Sequence, residues 1–183
     1  MLKSAFQKQL NLSVQKNLSY ITHLSNEVIS KNVYDFDVFL PSIGKNLQRP
    51  LVWSLEQKQQ LILVVLKGNN IGNISVIEQH DNMRYYSHFE VIDGKQRLTT
   101  LFSFVKNEFP IVFEGKEYYF KDFDKEDKMA IDSIDLNFDV VHAYPDKVVS
   151  DVQKIAWFES INFLGTPQDI KHLNNLKTSL KSF

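Results

Sequence analysis

The feature that most constrains the fold is an abrupt change of pattern within FEVIDGKQRLTTLFSF, residues 89–104. The apolar run Phe89–Ile92 is typical of a buried strand, and it stops at Asp93 and Gly94. The apolar residues after the stop recur every three or four positions, which is the spacing of a helix packed on one side. The segment therefore predicts a strand that passes directly into a helix, with polar residues and a glycine at the junction.

Helix and strand signals alternate along the rest of the chain. An apolar stripe predicts an amphipathic helix over residues 4–30, and its members are Leu10, Val14, Leu18, Ile21, Leu24 and Val28. Capping-box patterns at Ser54/Gln57 and Ser150/Gln153 predict helices over 55–67 and 151–163, and Thr166-Pro167 predicts the start of a last helix. Strands are predicted at 36–40, 71–77, 85–92 and 136–144, a hairpin at 110–120 and a short helix at 124–134.

This alternation predicts an α+β fold, a mixed sheet flanked by helices with a C-terminal helical segment. The length favours one domain over residues 1–183. Within it we expect an N-terminal helical segment (1–35), an α/β core (36–145) and C-terminal helices (146–183).

The composition describes a folded chain without a strong bias in charge. Hydrophobic residues make up 43% of the chain, and 21 basic side chains face 22 acidic ones. The balance gives no electrostatic footprint for nucleic acid, although a local basic groove could still exist. The lack of cysteine excludes disulfides, thiolate zinc sites and cysteine nucleophiles. With no secretory signal pattern and no apolar run long enough to span a membrane, we expect a soluble cytoplasmic protein.

The junction at 93–97 has the residues of an anion site. A helix that starts directly after a strand exposes unpaired amides at its positive end, and glycine lets a phosphate approach them. Arg97 returns to the same end of the helix and can hold phosphate oxygens in two bonds, while Lys95 adds a charge. Gln96 or Asp93 could orient a water, and Asp93 could hold a divalent cation. The local pattern alone favours a plainer interpretation: Asp93 as N-cap, Gly94 as a turn residue and Arg97 in a surface ion pair.

Three sequence blocks resemble the N-terminal domain family of GmrSD-type restriction systems, within the ParB/sulfiredoxin-like superfamily. They are LPSIGKNLQRPLVW, VIDGKQRLTTLFSF and WFESINFLGTPQ, and the resemblance covers about Phe36 to Asp169. It implies a ParB-like fold that binds a nucleoside triphosphate of unknown base with Mg²⁺. The Asp-Gly-x-Gln-Arg block, Asp93 to Arg97, would contact the phosphates and support hydrolysis.

By the same resemblance, Asp93, Gln96 and Arg97 would be catalytic. The nucleotide- or phosphate-binding candidates are Gln48, Arg49, Gly94, Lys95, Thr99, Thr100 and Asn162. Three departures stand out: Lys95 replaces the usual Gln, the segment from Pro41 to Gln48 is long, and Glu159 lies near a usual Arg. The last departure puts hydrolysis more in doubt than binding.

Three functions follow from the resemblance and the residues together. The first is an NTP-binding, NTP-hydrolysing domain of a restriction or phage-defence system. The second is a DNA-binding or DNA-nicking ParB-like nuclease module, and the third is a regulatory domain that binds nucleotide without turnover. A separate nuclease or effector subunit and a homo-oligomer built on the Leu10–Val28 stripe are possible partners.

No protein-bound metal site is predicted. The five histidines have no paired ligand spacing and no His-Asn-His arrangement, so each is expected to be an ordinary surface or satisfied histidine.

Overall fold

A computed structural model of the chain describes residues 12–23, 34–80, 88–162 and the positions 175, 178 and 179, with only the backbone for 17–23, 133, 135 and 162. The strands are β1 (Val14–His23), β2 (Tyr34–Asp35), β3 (Phe39–Leu40), β4 (Lys45–Asn46), β5 (Ile74–Gln79), β6 (His88–Asp93), β7 (Ile111–Phe113), β8 (Lys116–Tyr118) and β9 (Ser133–Ala143). The α-helices of the described part are α1 (Leu55–Leu66), α2 (Lys95–Val105), α3 (Lys125–Asp132) and α4 (Asp151–Asn162). A short 3₁₀ turn covers Phe120–Asp122.

Five strands form one mixed sheet in the order β1-β9-β5-β6-β2. The pairs β1/β9 and β5/β6 are antiparallel, whereas β5/β9 and β2/β6 are parallel. Two short hairpins, β3-β4 and β7-β8, lie outside this sheet. The predicted mixed sheet flanked by helices is confirmed.

Neighbouring residues of the central strands alternate between two cores because side chains along a strand point to opposite faces. Val76 and Val91 pack with residues of α1, α2 and α3. Ile77 and Ile92 pack on the other face, against α4 and the segment 38–47. The junction between β6 and α2 therefore lies where the strand leaves a sheet covered on both faces.

The predicted N-terminal helix is wrong where the structure describes it. Residues 14–23 are β1, which pairs with β9 over most of its length and has an irregularity between Gln15 and Leu18. The stripe of apolar residues at helical spacing is outweighed by this pairing with a strand more than a hundred residues away. Residues 4–11 and 24–30 of the predicted helix lie outside the described residues.

Other elements agree with the sequence within a few residues. Both capping boxes form, with Ser54 bonded to Gln57 and Ser150 to Gln153. The β7-β8 hairpin turns at Glu114 and Gly115, whose φ angles of 49° and 76° suit a tight hairpin turn. The strand predicted at 36–40 is reduced to Phe39–Leu40, after a bend at 36–37.

The C-terminal predictions are tested in part. The helix over 151–163 is confirmed as α4 for the described residues Asp151–Asn162. The helix start at Thr166 lies outside the described residues. Within the described part of the chain, no helix has the length and apolar character needed to cross a membrane.

Candidate functional site

Gly94 joins β6 to α2 and is required by backbone conformation and by packing. It is the N-cap residue of α2, with φ +99° and ψ 5°. A Cβ atom added to it would lie 2.5 Å from Cδ1 of Ile74, a side chain with no exposure to solvent. The glycine thus lets β5 pack closely against the start of α2. The sequence had suggested a different reason for glycine here, namely room for a phosphate.

The first three amides of α2 have no partner within the helix, as at any helix start. Leu98 N–H donates to the Gly94 carbonyl and begins the helical ladder. Across the described residues, no hydrogen-bond acceptor lies against the N–H groups of Lys95, Gln96 and Arg97. These amides are at the positive end of the helix dipole, where an anion is favoured.

The Arg97 guanidinium is held inside the protein. Nη2 donates to Asp93 Oδ2 at 2.8 Å, and Nη1 donates to the Ile71 carbonyl at 2.8 Å. Gly72 makes room for it, because a Cβ atom there would lie 2.8 Å from Nη1. Arg97 therefore ties the chain before β5 to the start of α2, in the ion pair that the plainer interpretation allowed.

Gln96 connects the first two sequence blocks. Its Oε1 accepts from the amides of Val52 and Trp53 at 3.2 and 3.4 Å, and its Nε2 donates to the Pro50 carbonyl at 3.1 Å. Both functional atoms of the amide are thus used to hold the segment before α1. The first two sequence blocks therefore lie together in the fold.

Gln48 adds a second link between these blocks, since its Nε2 donates to the Val91 carbonyl in β6. The side chain is buried, and its Oε1 has no hydrogen-bond partner within the described parts of the chain. A buried acceptor without a partner costs free energy, so this oxygen favours a donor from water or from a ligand.

A cavity of about 480 Å³ opens beside the first residue of α2. It is lined by Asp37, Phe39, Gly44, Lys45, Asn46, Gln48, Pro50 and Lys95. Lys95 Nζ is 2.6 Å from Asp37 Oδ1; the lysine side chain is 11% exposed and the aspartate 72%. Lys45 donates to the Ser179 hydroxyl at 2.7 Å. Two lysines and Gln48, whose buried oxygen is unpaired among the described residues, thus line one cavity.

The other four predicted site residues lie in different surroundings. Arg49 is half-buried and has neither a hydrogen bond nor an ion pair to any described residue. Thr100 is buried and its hydroxyl donates to the Gln96 carbonyl at 2.7 Å, whereas Thr99 is half-buried in α2. Asn162 is the last described residue of α4, which lies on the opposite face of the sheet from α2, and only its backbone is described.

A second polar cluster was missed by the sequence reasoning. Glu78, His80 and His142 bring one carboxylate and two imidazoles within 4.8 Å of one another. Glu78 and His142 are opposite each other in the parallel β5/β9 register. Glu78-x-His80, directly after the strand predicted at 71–77, was the one available signal, because residues two apart share a face when the strand continues through them.

Comparison with known proteins gives a family for most of the chain. The model of the family described as GmrSD restriction endonuclease, N-terminal domain, matches residues 26–177. Searches of curated proteins and of solved structures returned no match. The ParB-like fold implied by the resemblance therefore stays a prediction, beside the observed mixed sheet.

Proposed function

The chain belongs to the GmrSD restriction endonuclease N-terminal domain family, and on that premise we propose that it binds the phosphates of a nucleoside triphosphate at the start of α2. The observation that carries the proposal is a cavity lined by Lys95, Lys45 and Gln48 beside the first residue of α2, the helix whose first three amides have no acceptor among the described residues. Amides at a helix N-terminus and a nearby ammonium group form a common phosphate site.

The contacts assign direct and indirect roles within this proposal. The amides of 95–97 and the Lys95 ammonium would contact phosphate oxygens, while Arg97 and Gln96 position the segment around them. Asp37 holds Lys95 and is largely exposed, so an incoming phosphate would replace it at the ammonium. The Gln48 oxygen would accept from a hydroxyl or amino group of the nucleotide or from an ordered water.

Binding is better supported than hydrolysis. Asp93 and Arg97 are bonded to each other, and both ends of the Gln96 amide are used by the segment 50–53. Gln96 would have to leave these contacts before it could orient a water for attack, and Arg97 would have to turn away from Asp93 and the Ile71 carbonyl to reach a phosphate with the same nitrogens. We therefore propose a nucleotide-responsive domain that acts with the DNA-cleaving part of a restriction system, with Mg²⁺ carried by the nucleotide.

Calorimetry with ATP, GTP, CTP and UTP, each with Mg²⁺, tests this proposal. We expect at least one nucleotide to bind the wild type, and Lys95→Ala to weaken it about 10- to 100-fold because a charge-assisted hydrogen bond is lost. Asp37→Asn should bind more tightly, because the competing carboxylate is removed. Two variants with effects of opposite sign separate a site effect from general loss of folding.

Lys116→Ala is the matched control, since it removes one exposed lysine from β8, away from the cavity. It should bind like the wild type. Phosphate release measured on the same samples distinguishes binding from turnover. The proposal fails when none of the four nucleotides binds, or when Lys95→Ala binds as tightly as the wild type.

A further inference from the structure

From the cluster at the C-terminal ends of β5 and β9 we infer a binding site for a divalent transition-metal ion of the zinc class, formed by Glu78, His80 and His142. Each contact within the cluster joins two of the same three atoms, one from each residue. His80 Nε2 is 3.1 Å from His142 Nδ1, and Glu78 Oε2 is 2.9 Å from His142 Nδ1 and 3.5 Å from His80 Nε2. Three potential ligand atoms, one from each residue, thus lie within 3.5 Å of one another.

The separations agree with those of ligands on one metal ion. Bonds of zinc to imidazole nitrogen and carboxylate oxygen are about 2.0–2.2 Å long, which separates two tetrahedral ligand atoms by roughly 3.3 Å. A circle through the three atoms has a radius of about 1.8 Å, so an ion about 1 Å out of their plane reaches all of them without any movement.

Hydrogen bonding alone satisfies this triangle poorly. His142 Nδ1 is in range of both Glu78 Oε2 and His80 Nε2, and a single N–H cannot point well at two acceptors. The Glu78 side chain is only 11% exposed, and within the described residues its ion-pair contacts are the two histidines. A buried carboxylate needs a compensating positive charge, which a divalent cation supplies while both imidazoles remain neutral.

The fold fixes the ligand side chains in advance. Glu78 and His80 are two residues apart on an extended segment and project from one face, and His142 is the register partner of Glu78 on the parallel neighbour. The His80 ring stacks on Tyr144 with 4.6 Å between centroids and 9° between planes, and its amide donates to the Ala143 carbonyl at 2.8 Å. Such support orients a ligand before the ion arrives.

Ligand type selects the class of ion. Two imidazoles and one carboxylate suit zinc, iron, cobalt and nickel, whereas magnesium and calcium prefer oxygen ligands. Three protein ligands leave at least one position for water, the arrangement of catalytic rather than closed structural zinc sites. The two imidazoles retain 33% and 23% exposure, which leaves a path for solvent.

This site is separate from the proposed phosphate site. Ser75 of β5 is the register partner of Asp93, and Glu78 is three residues further along the strand, roughly 10 Å at the usual rise of a strand. The metal proposal therefore does not depend on nucleotide binding.

Calorimetric titration of untagged, chelator-treated and dialysed protein with Zn²⁺ tests the site, with Co²⁺ absorption as a second readout. We expect one ion per chain, and a loss of affinity on the order of a hundredfold or more in His142→Ala, His80→Ala and Glu78→Gln, because each removes a ligand. His88→Ala is the control: it removes a half-buried histidine of the neighbouring strand β6 that is outside the cluster. It should bind like the wild type.

Glu78→Gln keeps the shape of the side chain, so it still tests the metal site when circular dichroism shows that a histidine variant is unfolded. Mg²⁺ should not compete with Zn²⁺ for the site. The inference is overturned when the wild type takes up no Zn²⁺, or when Glu78→Gln and a folded His142→Ala variant bind it as the wild type does.

Discussion

Replacement of Gly94 by alanine is the most direct test of how the strand passes into the helix. The residue has φ +99°, in the left-handed region that side chains disfavour. The added Cβ would lie 2.5 Å from Cδ1 and 3.2 Å from Cγ2 of Ile74, which is fully buried between the sheet and the helices. The substitution therefore combines backbone strain with overpacking of the core.

These two costs can be estimated separately. Backbone strain of this kind costs about 1–3 kcal/mol, and overpacking by one carbon costs about 1–3 kcal/mol. The smaller conformational freedom of unfolded alanine returns roughly 0.4–1 kcal/mol. We expect Gly94→Ala to lower the free energy of unfolding by about 3 kcal/mol, a large part of the stability of a domain of this size.

Urea denaturation followed by circular dichroism measures the loss, and two further variants divide it. Gly68→Ala has φ +71° and open space around the new Cβ, so it should show strain alone, about 1 kcal/mol. Ile74→Val removes the nearest clashing carbon, and in the Gly94→Ala background it should cost far less than its usual 0.5–1.5 kcal/mol. The reasoning is refuted when Gly94→Ala loses no more stability than Gly68→Ala, or when the effects of Gly94→Ala and Ile74→Val simply add.

Two further substitutions test polar contacts inside the fold. Arg97→Lys should lower the free energy of unfolding by about 1–2 kcal/mol, because one ammonium cannot reproduce a guanidinium that donates to both Asp93 and a backbone carbonyl. An unchanged urea midpoint would contradict these contacts. Lys154 Nζ is 2.7 Å from Glu90 Oε2, and the two side chains are 9% and 17% exposed. Lys154→Met should lower the free energy of unfolding by about 3 kcal/mol, because it leaves the largely buried Glu90 unpaired. Adding Glu90→Gln should recover part of the loss, whereas equal losses in the single and double variants would show that the pair does not matter.

Elements fixed by local chemistry were predictable from the sequence. The capping box at Ser54 needs two side chains three residues apart, and the turn at Glu114-Gly115 needs left-handed backbone that glycine favours. The change of pattern at Gly94 likewise marked the start of α2. In each case the residues that decide the structure are neighbours in sequence.

Features fixed by pairing at long range were not predictable. The apolar residues of 14–23 fit a helical stripe, but the partner that makes them a strand is β9. His80 and His142 are 62 residues apart, and their contact depends on the β5/β9 register, which a spacing search cannot detect. A slip of that register by one residue would turn His142 to the other face of the sheet.

The contacts of the junction also determine which variants can report on nucleotide binding. The sequence left two interpretations of Asp93 and Arg97, and their 2.8 Å bond gives them a structural role whatever else they do. A loss of activity in Arg97→Ala would therefore follow from either role, since the substitution also releases the chain before β5. Lys95 and Asp37 are free of this ambiguity: the one described polar contact of their side chains is with each other, at the edge of the cavity. An affinity that falls without the lysine and rises without the carboxylate has no explanation in stability alone, so this pair is the decisive test of the phosphate site.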